Sequence, residues 1–430
     1  MSDTPLRFRL AVAAYQVALA ALMPLVWRYF RRRGRGDAAY LEHWGERKGE
    51  GAPFDADIWV HAVSLGEFRS AEPLIAKLLA AGKRLVLTHA TPAGRRASEA
   101  ALAAEIGAGT VRVEYAPLDR TSYWRAFFAR IRPRTGLVME MEFWPGMIEA
   151  ARQEGVALWL TNAQVPGKSL PRALRVRSWL GAHPAGRTAG VFAKSERMAD
   201  RFRRLGAKTV RAVGETRFDI PAPKPQTDAG AALAKSLGGR QVVAFASVVQ
   251  GEEQVYLDAV QALQRDAQPP LVIWVPRAPE AFDPTFDLLK QVGLRVARRS
   301  QTFDADMNPI QSLDCDVLLG DSFGEMFFYL AAADVVSVGG GFVEKGAHNI
   351  IEPLALSRPV VTGPHIWTIE FPGEEAREAG VLSVCEETGE LAALLRSHMS
   401  GDGRAEAAFH AQHLGASQRI ADAILMGETL

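Results

Sequence analysis

From residue 58 onward, short apolar runs alternate with amphipathic stretches of helical length. Apolar runs of four to eight residues are typical of buried strands, and the stretches between them have apolar residues at helical spacing. Strands that alternate with helices through short connections favour a parallel sheet with helices on both faces. The runs interpreted as strands are IWVHAV, RLVLTHA, TGLVMEM, VALWLTNA and AGVFAKS, followed by QVVAFAS, PLVIWVP, DVLLGDS, DVVSVGGG, RPVVTGP and GVLSVCE.

A polar, proline-rich stretch, PAPKPQTDAG at 221–230, interrupts the alternation. Prolines are unfavourable inside helices and sheets, so we interpret this stretch as an interdomain linker. The sequence then predicts two Rossmann-like α/β domains, residues 36–220 and 231–430, with a cleft between them. Ligands of such sheets bind beyond the carboxyl ends of the strands, so residues that follow strands are the candidates for chemistry.

The first 35 residues have a different pattern. LAVAAYQVALAALMPLV, residues 10–26, contains no charged side chain and is followed by WRYFRRRGR. A run of this length is at the lower limit for crossing a bilayer, roughly 17 residues, and arginines after it favour a cytoplasmic location for the rest of the chain. We predict a membrane-anchor segment at 1–35, spanning or monotopic. The alternative is a buried or interfacial helix.

Composition narrows the class of protein. The 430 residues are 48% hydrophobic and 23% charged with a net charge of +1, which suits a globular protein and gives no overall field that selects nucleic acid. Cys315 and Cys385 cannot form a dense disulfide framework, which favours reduced, cytoplasmic surroundings, and they lack the histidine neighbours of a zinc site. The dinucleotide-binding, Walker A and H-E-x-x-H motifs are missing, which disfavours NAD enzymes, P-loop NTPases and zinc hydrolases.

A single carboxylate, Glu67, follows the first predicted strand in HAVSLGEFRSAEP. Ser64 and Gly66 allow a tight turn, which directs the carboxylate towards the end of the sheet. An acid in the first turn of a helix is also favoured by the helix dipole, by about 0.3–1 kcal/mol. A general base beside an acceptor hydroxyl would have the same placement, so both interpretations of Glu67 stay open on its position alone.

Other charged side chains also follow predicted strands. Glu140 and Glu142 form a carboxylate pair in LVMEMEFWPG, with decoration of a helix start as the alternative. Arg217, in VGETRFDI, lies just before the linker, where a surface charge or an ion pair is the ordinary interpretation. Arg277 follows a strongly apolar strand within WVPRAPEAF, and an arginine in that position suits a phosphate group.

Two stretches in the second half predict helix starts beside glycine-rich turns. GDSFGEM places Gly324 and Glu325 at one of them, and GGGFVEKGAHNIIEP places His348, Asn349 and Glu352 at the other. Amides at helix starts bind phosphate, and a carboxylate one turn in can bind ribose hydroxyls. His348 alone would more often be structural than catalytic.

Taken in order, several stretches resemble the 3-deoxy-D-manno-octulosonic acid (Kdo) transferases of lipopolysaccharide assembly over nearly the whole chain. They are YLEHWGERKG, HAVSLGE, THATPAGRRAS, MEMEFWPG, GETRFD, PRAPEAF, GDSFGEM and GGGFVEKGAHNIIEPLA. The resemblance implies the GT-B glycosyltransferase fold, with two Rossmann-like domains facing a cleft, and an N-terminal membrane-anchor helix. It implies transfer of Kdo from CMP-Kdo to a lipid A precursor of the lipid IVA type, with inversion and without a metal or other cofactor, on the cytoplasmic side of the inner membrane.

The resemblance also implies roles for individual residues. Glu67 would be the general base, and Glu140 and Arg217 would support the transition state. The N-terminal domain would bind the acceptor and the C-terminal domain the CMP-sugar. CMP contacts are implied for Pro276, Arg277, Phe323, Gly324, Glu325, Asn349, Ile350, Ile351 and Glu352, and no residue is implied as a metal ligand.

Several positions depart from the family pattern. Arg217 stands where the family usually has lysine, SVVQGEE replaces STHEGEE at 247–253, and NAQVPGKS at 162–169 lacks the usual arginine. Two alternatives therefore stay open. One is a divergent GT-B transferase for another nucleotide-activated acidic sugar or another acceptor. The other is a non-catalytic, lipid-binding paralogue. The retention of Glu67, Arg277 and Glu352 argues against this second alternative.

Overall fold

The computed structural model describes residues 4–427, which form two compact units. The first unit runs to Ile220 and includes the residues from Gly415 onward, and the second comprises Pro221–Leu414. The boundary after Ile220 coincides with the start of the proline-rich stretch. The return of the C-terminal residues to the first unit differs from the predicted 231–430 domain.

A seven-stranded parallel sheet forms the centre of the first unit. Its strands are β1 (Ile58–His61), β2 (Leu85–His89), β3 (Val111–Tyr115), β4 (Thr135–Met139), β5 (Ala157–Ala163), β6 (Gly190–Ala193) and β7 (Val210–Ala212). The strand order is β3-β2-β1-β4-β5-β6-β7, so the winding direction reverses between β1 and β4. The connections that leave these two strands diverge, which opens a crevice at their carboxyl ends.

Nine helices belong to the first unit among the residues described. They are α1 (Leu6–Arg33), α2 (Leu65–Ala80), α3 (Pro92–Ala101), α4 (Ala103–Gly107), α5 (Thr121–Ile131), α6 (Pro145–Gln153), α7 (Leu170–Leu180) and α8 (Glu196–Arg204), together with the C-terminal α18 (Ala416–Leu425). Ile420 and Ala421 of α18 share a buried cluster with Leu74 and Leu78 of α2. The last helix therefore completes the core beneath the helix that carries Glu67.

The side chain of Asp219 fixes the start of α18. Its two carboxylate oxygens accept hydrogen bonds from the backbone N–H groups of Gly415 and Ser417, both at 2.6 Å. These bonds satisfy amides that would otherwise lack partners at a helix N-terminus. They explain why the C-terminal residues leave the second unit.

Helix α1 has one face against the first unit. Phe8 and Phe30 are buried near its two ends. Midway, the Gln16 side chain donates to the Asp119 carbonyl at 2.9 Å and accepts from the Thr121 N–H at 2.9 Å. A side chain that satisfies both a backbone acceptor and a backbone donor holds the helix in one register.

The opposite face of α1 is apolar and exposed. Leu10, Val17 and Leu25 are all more than half exposed. Among the described residues, α1 is the one helix whose length and composition would allow it to cross a membrane. The predicted anchor segment therefore forms the expected helix, and that helix also packs on the first unit.

The second unit repeats the architecture. Its parallel sheet has the order β10-β11-β9-β8-β12-β13-β14, with the winding reversal between β8 and β12. The strands are β8 (Val242–Val248), β9 (Leu271–Pro276), β10 (Val296–Arg298), β11 (Val317–Leu319), β12 (Val335–Val338), β13 (Val360–Thr362) and β14 (Leu382–Val384). The helices are α9 (Lys224–Ser236), α10 (Glu253–Leu263), α11 (Phe282–Gln291), α12 (Arg299–Thr302), α13 (Met326–Ala332), α14 (Ile351–Ala355), α15 (Glu370–Glu378), α16 (Leu391–His398) and α17 (Arg404–His413).

The predicted linker at 221–230 is only partly irregular, because α9 begins at Lys224. Pro223 precedes the helix and Pro225 lies in its first turn, where the missing N–H would have no partner within the helix. Gly230 lets α9 approach α13 closely, since a Cβ there would lie 2.3 Å from the Phe328 carbonyl oxygen. The prolines thus start a helix here.

Candidate active site

Glu67 lies in the first turn of α2, directly after β1. Its carboxylate accepts a hydrogen bond from the Val63 N–H at 2.7 Å and one from the Ser64 hydroxyl at 3.3 Å. Ser64 in turn accepts from the Glu67 N–H at 3.4 Å. This arrangement is a variant of the capping box, in which the Glu67 side chain accepts from the Val63 N–H instead of the Ser64 N–H, so the helix-start role considered from the sequence is present.

The electrostatic surroundings of Glu67 favour proton transfer as well. Burial raises the pKa of Glu67 to about 7, and the negative charges of Glu142 and Glu140 contribute in the same direction. A carboxylic acid normally titrates near 4.5, where it is too weak a base to accept a hydroxyl proton efficiently. The structure therefore gives Glu67 both a capping role and the basicity of a general base.

Glu140 follows β4 in a left-handed backbone conformation, with φ of 60°. Asn162, near the end of the neighbouring β5, has φ of 54°, and its side-chain amide donates to Glu140 Oε1 at 3.2 Å. Residues with side chains rarely adopt this conformation, and such strain concentrates where a side chain must be aimed. Both strand ends are shaped to fix the Glu140 carboxylate.

Arg217 connects Glu140 to the α2 helix. Its Nε donates to the Ser70 hydroxyl at 2.6 Å, and Nη2 lies 3.5 Å from Glu140 Oε1. Its Nη1 lies 3.4 Å from Glu215 Oε1. The structure thus brings together Glu140 and Arg217, and the charge of Glu140 acts on Glu67 across the β1–β4 crevice.

The side chains of Lys194, Glu215 and Gln164 also belong to this cluster and were not predicted from the sequence. Lys194, at the end of β6, lies 3.2 Å from Glu140 Oε2 and 3.3 Å from Glu215 Oε1. Gln164 donates to Glu140 Oε2 at 2.8 Å. Gln164 lies within NAQVPGKS, where the usual family arginine is missing. Lys194 could have been chosen as a candidate from the sequence, because it directly follows the predicted strand AGVFA and residues that follow strands were the candidates for chemistry.

The two histidines near β1 and β2 are structural. Burial lowers the pKa of His61 to about 3 and that of His89 to about 4, so both are neutral. His61 Nδ1 lies 2.9 Å from the Thr88 hydroxyl, and His89 donates from Nδ1 to the Ala62 carbonyl at 2.7 Å. Both rings are buried in the core beneath the crevice, so the carboxylates of Glu67, Glu140 and Glu142 are the candidates for acid–base chemistry there.

In the second unit, Glu252 organises the ends of β8 and β12. Its buried carboxylate accepts from Gly340 N–H at 2.8 Å, Phe342 N–H at 2.9 Å and Val249 N–H at 3.1 Å. The glycine-rich turn needs small residues, because a Cβ on Gly341 would lie 2.4 Å from the Thr362 hydroxyl. Glu252 therefore holds the loops at the winding reversal in fixed positions.

Arg277 extends from the end of β9 into solvent, while Pro276 is buried. Its backbone N–H donates to the Val248 carbonyl at 2.8 Å, which joins it to the end of β8. Burial lowers the pKa of His348 to about 4, and the positive charges of Arg277 and Lys345 lower it further. A neutral histidine between two cations makes this edge of the sheet a suitable place for an anion.

The stretch Phe323-Gly324-Glu325 lies between β11 and α13. The Phe323 ring is 65% exposed, and Gly324 has φ of 75° with open space around it. The Glu325 carboxylate is already engaged by Arg299 at 2.6 Å and by the Ser322 hydroxyl. Phe323 and the Gly324 backbone are accessible to a ligand, whereas the Glu325 side chain holds the loop.

The stretch from Asn349 to Glu352 leads into α14. The Asn349 side chain accepts from the Ile351 N–H at 3.0 Å. Ile350 and Ile351 have buried side chains, so only their backbone can contact a ligand. Helices α13 and α14 have seven and five residues, which limits the dipole contribution expected from the sequence.

The fold resembles that of solved glycosyltransferase structures. The crystal structure of a glycosyltransferase from Rickettsia africae matches with a TM-score of 0.54 at 11% identity, covering 87% of this chain and 100% of that one. With two parallel seven-stranded sheets, the chain has the GT-B glycosyltransferase fold, as the sequence predicted.

Sequence comparisons identify the family. A family model described as 3-deoxy-D-manno-octulosonic-acid transferase matches residues 42–220. A 3-deoxy-D-manno-octulosonic acid transferase of Bordetella pertussis is 37% identical, covering 95% of this chain and 98% of that protein. One of Haemophilus influenzae is 28% identical, covering 95% and 96%. The chain belongs to the 3-deoxy-D-manno-octulosonic acid transferase family, and it is a glycosyltransferase of lipopolysaccharide biosynthesis.

Proposed function

We propose that this enzyme transfers Kdo from CMP-Kdo to a hydroxyl of a lipid A precursor of the lipid IVA type, with inversion and without a metal. The observation that carries the proposal is Glu67, whose burial beside Glu140 and Glu142 raises its pKa to about 7 at the β1–β4 crevice. A carboxylate with that pKa is suited to remove a hydroxyl proton near neutral pH.

The proposed reaction is a direct displacement at C2 of Kdo. The acceptor hydroxyl loses its proton to Glu67 while its oxygen forms a bond to C2. The C2–O bond to the CMP phosphate breaks on the opposite face, and its electron pair leaves with the phosphate. The Glu140 carboxylate supports the positive charge that develops at C2, and Arg217 supports the negative charge of the departing group.

The second unit is the proposed CMP site. Arg277 at the end of β9 supplies a cation for the phosphate, and the backbone N–H groups around Gly324 and at Glu352 supply donors, since the Ile351 N–H is bonded to the Asn349 side chain. The exposed Phe323 ring offers an apolar surface for the nucleotide. Among these residues, Pro276, Ile350 and Ile351 shape the backbone, since their side chains are buried.

The proposal needs no divalent ion. The Glu140 carboxylate, which could otherwise bind one, is occupied by Lys194, Asn162, Gln164 and Arg217. A metal ion would have to displace these partners before it could bind. A guanidinium such as that of Arg277 can balance the single phosphate of CMP in its place.

The proposed location is the cytoplasmic face of the inner membrane. Helix α1 supports it, since its exposed face is apolar and three arginines occupy its last turn. The bonds of Gln16 to the first unit favour a helix that lies in the interface over one that leaves the protein to span the bilayer.

A product analysis tests the proposal. Purified enzyme is incubated with CMP-Kdo generated in situ and a tetra-acylated lipid A precursor in mixed micelles. The mass of the lipid product is then measured by mass spectrometry. One or more Kdo increments are expected. If this precursor remains unmodified while another acceptor or another CMP-linked acidic sugar reacts, the divergent-transferase alternative is correct.

A further inference from the structure

Lys194 is a buried cation in the catalytic half of the molecule. Its side chain is 2% exposed, and its ammonium group contacts Glu140 at 3.2 Å and Glu215 at 3.3 Å. A buried ammonium group is costly unless carboxylates compensate it, and here it has two. Neither Lys194 nor Glu215 was among the site residues predicted from the sequence.

The backbone fixes the position of Lys194 independently of these ion pairs. It follows the last residue of β6, and its N–H donates to the Ala163 carbonyl at 3.1 Å. It is followed by Ser195, whose hydroxyl caps α8 by accepting from the Met198 N–H at 3.3 Å. A strand end on one side and a capped helix on the other direct the Lys194 side chain towards the end of β4.

The charges of the cluster balance in pairs. Glu140 and Glu215 face Lys194 and Arg217, and each carboxylate contacts both cations. The negative charge of Glu140 also raises the pKa values of two further carboxylates, Glu67 and Glu142. Without Lys194, a single cation would face two carboxylates of the cluster.

We propose that Lys194 is a positioning residue for Kdo transfer, which balances the charge of Glu140 and holds its carboxylate in the β1–β4 crevice. The inference rests on the proposed role of Glu140 in supporting charge at C2. An ionised Glu140 provides that support, whereas a protonated one does not. The stretch 162–169 lacks the usual family arginine, and Gln164 contributes an uncharged amide to Glu140, so Lys194 at 3.2 Å supplies a cation there in addition to Arg217 at 3.5 Å.

Lys194→Met should therefore impair the reaction in a manner that depends on pH. With one cation lost, Glu140 and Glu215 share Arg217, and the two carboxylates bind a proton more readily than in the wild type. We expect kcat to fall about 10–100-fold at neutral pH, the range that couplings between contacting groups span. The loss should shrink as the pH is raised, and CMP binding by calorimetry should not change.

Two further variants separate charge from packing. Lys194→Arg keeps the cation and should retain most of the activity. The double variant Lys194→Met with Glu215→Gln removes one charge of each sign. Its kcat should therefore be at least ten times that of Lys194→Met alone. Lys208→Met, the same change at an exposed lysine of the first unit, is the matched control.

The outcomes are distinguishable. A Lys194→Met enzyme with wild-type kcat and pH profile, or one whose loss is equal at all pH values and is not recovered by Glu215→Gln, overturns the inference. If Lys194→Met does not fold by circular dichroism, Lys194→Gln is compared with Lys194→Arg by the same pH profile, with the same criteria. A wild-type enzyme inactive on CMP-Kdo and lipid A precursor would instead contradict the proposed function.

Discussion

The Glu67 carboxylate accepts a hydrogen bond from the Val63 N–H at 2.7 Å, so the proposed general base also closes the first turn of its own helix. This bond holds one carboxylate oxygen in place. Glutamine can make the same capping contact through its amide oxygen, since a capping box accepts either residue. The two roles of Glu67 can therefore be separated by substitution.

Glu67→Gln should fold normally and lose activity. The amide retains the cap but cannot take the acceptor proton, so kcat should fall about 10²–10⁴-fold. Initial rates of Kdo transfer and the thermal midpoint are the measurements. Glu72→Gln, the same change on the same helix, is the control and should leave the rate unchanged. Wild-type rates for Glu67→Gln would leave Glu67 with its capping role alone.

The raised pKa of Glu67 predicts opposite effects of pH on activity and stability. The rate should rise through about pH 7, where Glu67 ionises, and Glu67→Gln should lack this limb. Because the folded-state pKa lies above the unfolded-state value, the folded protein binds the Glu67 proton more tightly. Stability should therefore fall as the pH rises between these two values.

The stability effect is measured by comparing thermal midpoints. Relative to wild type, Glu67→Gln should gain stability between about pH 5 and about pH 8, since the glutamine never ionises. A difference between the two proteins that does not vary with pH would show that Glu67 titrates near its ordinary value.

Strand–helix alternation predicted eleven of the fourteen strands that the structure has between residues 4 and 427. The three missed strands are β3, β7 and β10, of which β7 and β10 have three residues each. The sequence also placed Glu67 and Glu140 at strand ends. It could not place Lys194 beside Glu140, because the spatial order of strands is not readable from one sequence. Asn162 was missed, although asparagine is one of the few residues other than glycine that readily adopt the αL conformation.

Arg277→Ala should weaken CMP binding more than acceptor binding. Its guanidinium is the exposed cation at the end of β9, and loss of a charge-assisted contact costs about 1.5–3 kcal/mol, roughly 10–150-fold in Kd. Calorimetry with CMP measures the change. Arg265→Ala, at an exposed position after α10, is the control. Unchanged affinity in Arg277→Ala would place the nucleotide elsewhere.

Adjacent residues of α1 should have different functions. Gln16→Leu removes both hydrogen bonds to the first unit and leaves the Thr121 N–H without its partner, so the free energy of unfolding should fall by about 1–3 kcal/mol. Val17→Ser, at a position 71% exposed, should leave stability unchanged but weaken binding to vesicles by about 1.5 kcal/mol, roughly tenfold.

Denaturant titration and vesicle co-sedimentation distinguish these two functions of α1. Loss of stability in Val17→Ser without loss of vesicle binding would show that its exposed face packs on protein. Deletion of residues 1–35 should also lower the stability of the first unit, because Phe8, Gln16 and Phe30 all contact it.

EDTA should leave the transfer step intact. The Glu140 carboxylate is occupied by protein donors, and Arg277 is placed to balance the CMP phosphate. The measurement is a single-turnover assay with pre-made, metal-stripped CMP-Kdo, which removes any requirement of a coupled CMP-Kdo synthetase. A large loss of rate that Mg²⁺ restores would make Glu140 and Glu142 metal ligands.

The return of α18 to the first unit has a consequence for the order in which the protein folds. During synthesis the second unit is complete once Leu414 has been made, although it begins more than two hundred residues after the first. The first unit still lacks Ile420 and Ala421 from the core beneath α2 at that moment. The unit whose synthesis begins first is therefore completed last, and the helix that carries Glu67 gains its full support only after α18 has been synthesised.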